Sequence, residues 1–233
     1  MNPIKFIAAV SFSTIICSAA FAQEPKTFST ESKPTEVNAE AAKQEGSALG
    51  ESCRFGSAYF SKVDLAELIN IPGAVGVRFY ISKEKKDQSY VDLLAVAVDK
   101  NGNELQGQSF QRQYLMVKAL DKSYPTYAKG LNKFEAEQQT KNVKNGEAST
   151  LPFVAYMGIS DLETLIKGSS CDGIRIFPAE LDVEGSSYRT MSFGTVTYLK
   201  GDLQDASDVY LESALPCPIM CGGDGDKVYL WNK

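Results

Sequence analysis

Asp64-Leu-Ala-Glu-Leu-Ile-Asn-Ile-Pro-Gly-Ala-Val-Gly-Val-Arg-Phe-Tyr80 decides how this chain is read, because a degraded copy follows 97 residues later as Asp161-Leu-Glu-Thr-Leu-Ile-Lys-Gly-Ser-Ser-Cys-Asp-Gly-Ile-Arg-Ile-Phe177. Asp64, Leu65, Leu68, Ile69, Gly76 and Arg78 recur as Asp161, Leu162, Leu165, Ile166, Gly173 and Arg175. In each copy the leucines and isoleucine sit at helical spacing. Pro72-Gly73 stops the first helix, and from Ala74 the pattern changes to alternation. Val75, Val77, Phe79 and Ile81 share one face of a strand, and Gly76, Arg78 and Tyr80 share the other.

Working outward, Ala58-Tyr59-Phe60 precedes the first helix as Ala155-Tyr156-Met157 precedes the second. Ser61-x-x-Asp64 reads as a cap for the first helix and Ser160-x-x-Glu163 as a cap for the second. Beyond Ile81 a polar connection leads to the apolar run Val91 to Val98, and Asp99-Lys-Asn-Gly-Asn103 supplies turn residues. Two strands joined by about eight polar residues read as an antiparallel hairpin. The second copy continues to Thr190–Leu199, and matching Val98 to Leu199 makes its hairpin connection about four residues longer. The repeats therefore span 55–105 and 152–204. The connector 106–151 has no counterpart; it holds an apolar segment, Gln111 to Leu120, and a helix near 127–142 with Leu131 and Phe134 facing inward. The expected fold is α+β: tandem helix-plus-hairpin units forming one antiparallel sheet, with helices packed on one face.

Met1 to Ala22 has the form of a secretory signal, with Lys5, an apolar run and Ala20-Phe21-Ala22 before Gln23. Residues 23–50 are rich in Glu, Lys, Ser, Thr, Ala and Pro and read as a disordered tether. Residues 51–233 form the single globular domain. The net charge of −5 and the lack of a basic block argue against a nucleic-acid partner. No transmembrane segment is expected after cleavage, which places the protein in the periplasm or outside the cell.

Apart from Cys17 in the leader, the cysteines are Cys53, Cys171, Cys217 and Cys221. An even number in an exported chain favours disulfides, with Cys53–Cys171 and Cys217–Cys221 slightly ahead among three connectivities. The sharper alternative is a zinc site built from all four thiolates. Cys217 and Cys221 are one residue further apart than a redox C-x-x-C. With no histidine in the chain, Ser-His-Asp and Cys-His nucleophiles and His-based zinc hydrolysis are excluded. Asp99-x-Asn101-Gly102-Asn103 and Asp224-Gly-Asp226 read as turns rather than calcium loops. Arg78 and Arg175 are the remaining candidates, either as a shared bidentate anion site or as salt bridges to helix carboxylates such as Asp64 and Asp161.

Pro72-Gly73-Ala74-Val75-Gly76-Val77-Arg78-Phe79-Tyr80, Cys171 in the second copy, the turn at 99–103 and the terminal Cys217-Pro218-Ile219-Met220-Cys221 together resemble small uncharacterised bacterial proteins. Their shared pattern is a Pro-Gly-Cys-x-Gly-Ile-Arg-Ile-Tyr strand followed by a C-terminal Cys-Pro-x-x-Cys. The resemblance covers about 100 residues of the mature chain, supports the fold and brings no activity with it. The resulting expectation is an exported envelope protein that binds a protein or small molecule without catalysis and without a cofactor. A cysteine-dependent redox or zinc-binding role is the alternative.

Overall fold

The computed structural model describes residues 33–105, 113–118, 128–144, 154–168, 170–183 and 186–213, with backbone alone at 51–53, 183 and 186–188. The elements run β1 (Thr35–Asn38), α1 (Ala39–Cys53), β2 (Ala58–Ser61), α2 (Lys62–Ile69), β3 (Gly76–Ser82), β4 (Asp92–Val98), β5 (Tyr114–Val117), β6 (Lys129–Leu131), α3 (Lys133–Lys144), β7 (Val154–Gly158), α4 (Ile159–Ile166), β8 (Gly173–Val183), β9 (Ser186–Leu199) and β10 (Asp202–Glu212). They make an α+β structure with two antiparallel sheets rather than one. Sheet A has the order β1-β10-β9-β8-β2 and sheet B the order β6-β5-β4-β3-β7.

The single-sheet expectation fails because the short lead strands are exchanged. β2 leaves the strand that follows it and pairs with β8, so that Ala58 faces Ile176, Tyr59 faces Arg175 and Phe60 faces Ile174. β7 pairs with β3 in the same register: Ala155 faces Phe79, Tyr156 faces Arg78 and Met157 faces Val77. Periodicity specifies which side chains a strand buries, but not which of two equivalent strands it joins.

The same numbering change carries one sheet order into the other. Replacing β1, β2, β8, β9 and β10 by β6, β7, β3, β4 and β5 turns the order of sheet A into that of sheet B. The hairpins agree in detail, since Gly76 faces Val98 and Gly173 faces Val196. The equivalent of Val98 is therefore Val196, not Leu199, and the two hairpin connections differ by one residue, not four.

Segments assigned outside the repeats belong to this pattern. Residues 35–50, which composition places in the tether, form β1 and all but the last three residues of α1. The connector supplies β5, β6 and α3, with strand β6 at the start of the span expected to be helical. Val37 faces Tyr210 as Leu131 faces Tyr114. Asn38 then caps α1, accepting from the Glu40 and Ala41 amides at 3.0 and 3.3 Å. Asn132 caps α3 by a reciprocal pair with Glu135, at 2.9 and 3.0 Å. Leu131 is buried, but Phe134 faces solvent at 69% exposure, opposite to its expected orientation.

The alternation in β3 and β8 sets the layers. Val77, Phe79 and Ile81 from sheet B meet Phe60, Ile174, Ile176 and Phe193 from sheet A in one inner cluster, joined by Leu65 and Leu68 of α2 and Leu162 and Leu165 of α4. Phe79 is its hinge point, with its ring centroid 5.8 Å from Phe60 and 5.0 Å from Phe193. Burying such a side chain contributes roughly 1.5–3 kcal/mol. Helix α2 starts as expected, its Ser61 hydroxyl accepting from the Asp64 amide at 3.1 Å and donating to the Asp64 carboxylate at 2.7 Å. Helix α4 starts earlier than expected, with Gly158 at its cap and no side-chain cap bond.

The other two helices cover outer faces, so the helices do not share one face. α1 lies over Phe177 and Tyr210 of sheet A, and Ala136 of α3 packs with Tyr80, Leu94, Val96, Tyr114 and Met116 of sheet B. Ser213 joins the sheets at one seam. Its hydroxyl accepts from the Tyr156 amide at 3.3 Å and donates to the Tyr156 carbonyl at 2.7 Å, while its own amide donates to Met191 at 3.0 Å.

Candidate functional site

Because Val77 and Phe79 face the interior, Arg78 faces outward from sheet B, where it is completely buried and meets the turn at 99–103. A buried guanidinium is costly unless its donors are met. Here one nitrogen donates to the Gly102 carbonyl at 3.0 Å and another to the Tyr80 hydroxyl at 3.2 Å, with Glu104 at 3.8 Å. Glu104 in turn accepts from the hydroxyls of Tyr80 and Tyr114, each at 2.5 Å. Burial pushes the phenol of Tyr80 well above its ordinary range and that of Tyr114 likewise, so both remain donors.

Arg175 also faces outward, from sheet A. Arg78 and Arg175 therefore project from opposite sides of the inner cluster and do not share an anion. Among the described residues Arg175 pairs with neither Asp64 nor Asp161. The Arg175 side chain is half-buried, with Nε and one terminal nitrogen donating to the Ser57 hydroxyl at 3.3 Å and its guanidinium carbon 4.9 Å from the Phe177 ring centre. Among the described residues no carboxylate comes within ion-pair range of it.

The register shows where its carboxylate went. Val98 bridges Glu104, and Val196 faces Asp205. Asp205 thus stands where Glu104 stands in the other half, one methylene shorter. It accepts from the Tyr210 hydroxyl at 2.7 Å and from Lys43 of α1 at 2.8 Å. These bonds raise the Lys43 ammonium pKa above its usual value, the hydrogen bond to Asp205 being the largest cause. Among the described residues Glu104 has no such lysine.

At three matched positions the layer under α1 is more polar than the layer under α3. Leu94 pairs with Met116 in sheet B, and Ser192 pairs with Glu212 at the corresponding positions of sheet A. Val96 and Val154 give way to Gly194 and Ser57 at the matching places. The space is partly closed by the Tyr210 ring lying over Gly194, where an added Cβ would come within 1.9 Å, and by Gly46 of α1 lying against Phe177. The Ser192 hydroxyl and one oxygen of Glu212 are buried without a hydrogen-bond partner among the described residues, as are the Ser82 hydroxyl of β3 and the Gln139 side-chain oxygen of α3 in the other half. Burial, followed by repulsion from Glu45, raises the Glu212 pKa to about 7.

The cysteines form no described centre. Cys171 is a buried free thiol that donates to the Gly173 carbonyl at 3.3 Å, and burial raises its pKa. The Cys53 side chain, Cys217 and Cys221 lie outside the described residues, as do the signal at 1–22 and Asp224-Gly-Asp226, so neither the disulfides nor the zinc site is placed. Among the described residues no three Cys, Asp or Glu side chains converge on a metal position. The Asp99 carboxylate is occupied locally, accepting from the Asn101 and Asn103 amides at 2.8 Å. No described helix is long and apolar enough to cross a membrane.

Sequence reasoning selected the arginines but missed Ser57, Glu104, Tyr114, Ser192, Asp205, Tyr210 and Glu212. One signal was available: the duplicated Arg78 and Arg175 called for duplicated acceptors, and Glu104 and Asp205 follow the two turns. No family model, curated protein or solved structure matches this chain.

Proposed function

We propose that this is an exported, non-catalytic binding module built from two copies of one β-α-β-α-β-β-β unit, in which the outer layer under α3 is structural and the outer layer under α1, drawn from both copies, holds a small polar ligand. The contrast between the two outer layers carries the reading. Leu94, Met116 and Val154 stand at one set of positions, and Ser192, Glu212 and Ser57 stand at the other. Polar groups buried without partners cost stability, roughly 1–3 kcal/mol each, and a ligand that satisfies them recovers that cost. The leader pattern of residues 1–22 supports export to the envelope, and a mature N-terminus at Gln23 in protein recovered from the periplasm is the corresponding observation. A cysteine-based redox or zinc role has less behind it, because the buried, raised Cys171 thiol disfavours the reactive thiolate.

The test fills the layer. Ser192→Leu with Glu212→Met copies the residues found under α3. A low-molecular-weight periplasmic extract is expected to raise the thermal midpoint of the wild type and leave the filled variant unmoved. No rise in the wild type, or an equal rise in both, contradicts the reading.

A further inference from the structure

We propose that Arg175 receives the carboxylate group of a small external monocarboxylic acid, on the side of the guanidinium that Asp205, one methylene shorter than Glu104, does not reach. The proposal rests on the reading of the layer under α1 as a ligand site and names the chemistry at one end of it.

The internal comparison carries the argument. Arg78 and Arg175 face the equivalent residues Tyr156 and Tyr59 across their lead strands. Tyr114 and Tyr210 donate to the equivalent carboxylates Glu104 and Asp205. What differs is the contact between cation and carboxylate. Glu104 lies 3.8 Å from Arg78 and is sealed in with it. Asp205 is shorter, is held by Lys43 at 2.8 Å, and leaves Arg175 half-exposed with the Ser57 hydroxyl as its hydrogen-bond partner.

Ser57 engages Nε and one terminal nitrogen, and the other terminal nitrogen has no hydrogen-bond partner among the described residues. A planar carboxylate matches the guanidinium fork with two oxygens. The Ser57 hydroxyl accepts from the guanidinium and keeps its own proton for donation to the incoming group. The Phe177 ring at 4.9 Å shields one face of the cation from water and strengthens its attraction for an anion. A monoanion is favoured over phosphate because Asp205 and Glu212 already place acidic groups in this layer.

The experiment follows the Arg175 Nε–H resonance by NMR in the full mature chain while sodium acetate replaces sodium chloride at constant ionic strength. A saturable shift is expected. Asp205→Glu, which gives sheet A the reach of Glu104, is expected to weaken acetate binding by about tenfold or more, and Ser57→Ala to weaken it comparably, as is Arg175→Lys, which lacks the Nε–H and is followed through the Ser57 amide resonance instead. Absence of a saturable shift, or unchanged affinity in all three variants, overturns the proposal. So does tighter binding of inorganic phosphate than of acetate. A wild type that responds to the periplasmic extract but not to acetate at Arg175 overturns this proposal alone, whereas loss of both responses overturns the wider reading with it.

Discussion

Tyr114 and Tyr210 hold the same register position on different sheets, and each donates its hydroxyl to the carboxylate beyond the turn of its own half, Glu104 at 2.5 Å and Asp205 at 2.7 Å. The two phenols differ in what their acceptors have besides them. The Glu104 side chain is 6% exposed beside a buried arginine, and that of Asp205 is 23% exposed beside Lys43.

Removing the two hydroxyls therefore has unequal consequences. Tyr114→Phe strips a buried carboxylate oxygen of its donor and is expected to cost about 1–3 kcal/mol. Tyr210→Phe leaves Asp205 its lysine and is expected to cost less than about 1 kcal/mol. Urea unfolding of the two variants checks the order, and equal losses would contradict it.

Gly194 is the position that lets Tyr210 lie flat on sheet A. An added Cβ would come within 1.9–2.0 Å of the Tyr210 ring. Gly194→Ala is expected to destabilise by about 1–3 kcal/mol or more, because a fully buried ring has to move. Adding Tyr210→Leu should recover part of that loss, giving a clear coupling in a double-mutant cycle. Strict additivity would mean that the two residues do not meet as described.

Glu212 makes stability depend on pH. Its folded pKa is raised from an ordinary 4.5 to about 7, by burial first and by Glu45 second. The folded state thus holds a proton that the unfolded state has released, and stability falls as pH rises from about 4.5 to about 7, then levels. Glu212→Gln should leave stability at pH 4 nearly unchanged and increase it by roughly 1–3 kcal/mol at pH 8. Unfolding curves at the two pH values check this, and an equal change at both would contradict it.

The helix-plus-hairpin parts were legible because the positions that define them, from Asp64 to Arg78, are still the same residue types in the second copy. The remaining parts were hidden for physical reasons. Helix α1 buries Ala39, Ala42 and Gly46 against sheet A, so its inward stripe is built of small residues and reads as tether. Its equivalents in α3 share the capping asparagine and one alanine, too little to stand out beside a change of charge and loop length. The exchange of β2 and β7 left no trace in hydrophobic pattern, since each buries the same face against either neighbour. The candidate site was half legible. A single outward arginine in an apolar strand is visible in sequence, but its carboxylate arrives from beyond a turn, at a distance that only the strand register defines.

Each half lends its lead strand to the sheet of the other, in matching register. Cross-strand backbone nuclear Overhauser effects test it most directly. The structure requires contacts between Tyr59 and Arg175 and between Tyr156 and Arg78. Contacts joining Tyr59 to Arg78 and Tyr156 to Arg175 instead would place each lead strand in its own half and contradict the account.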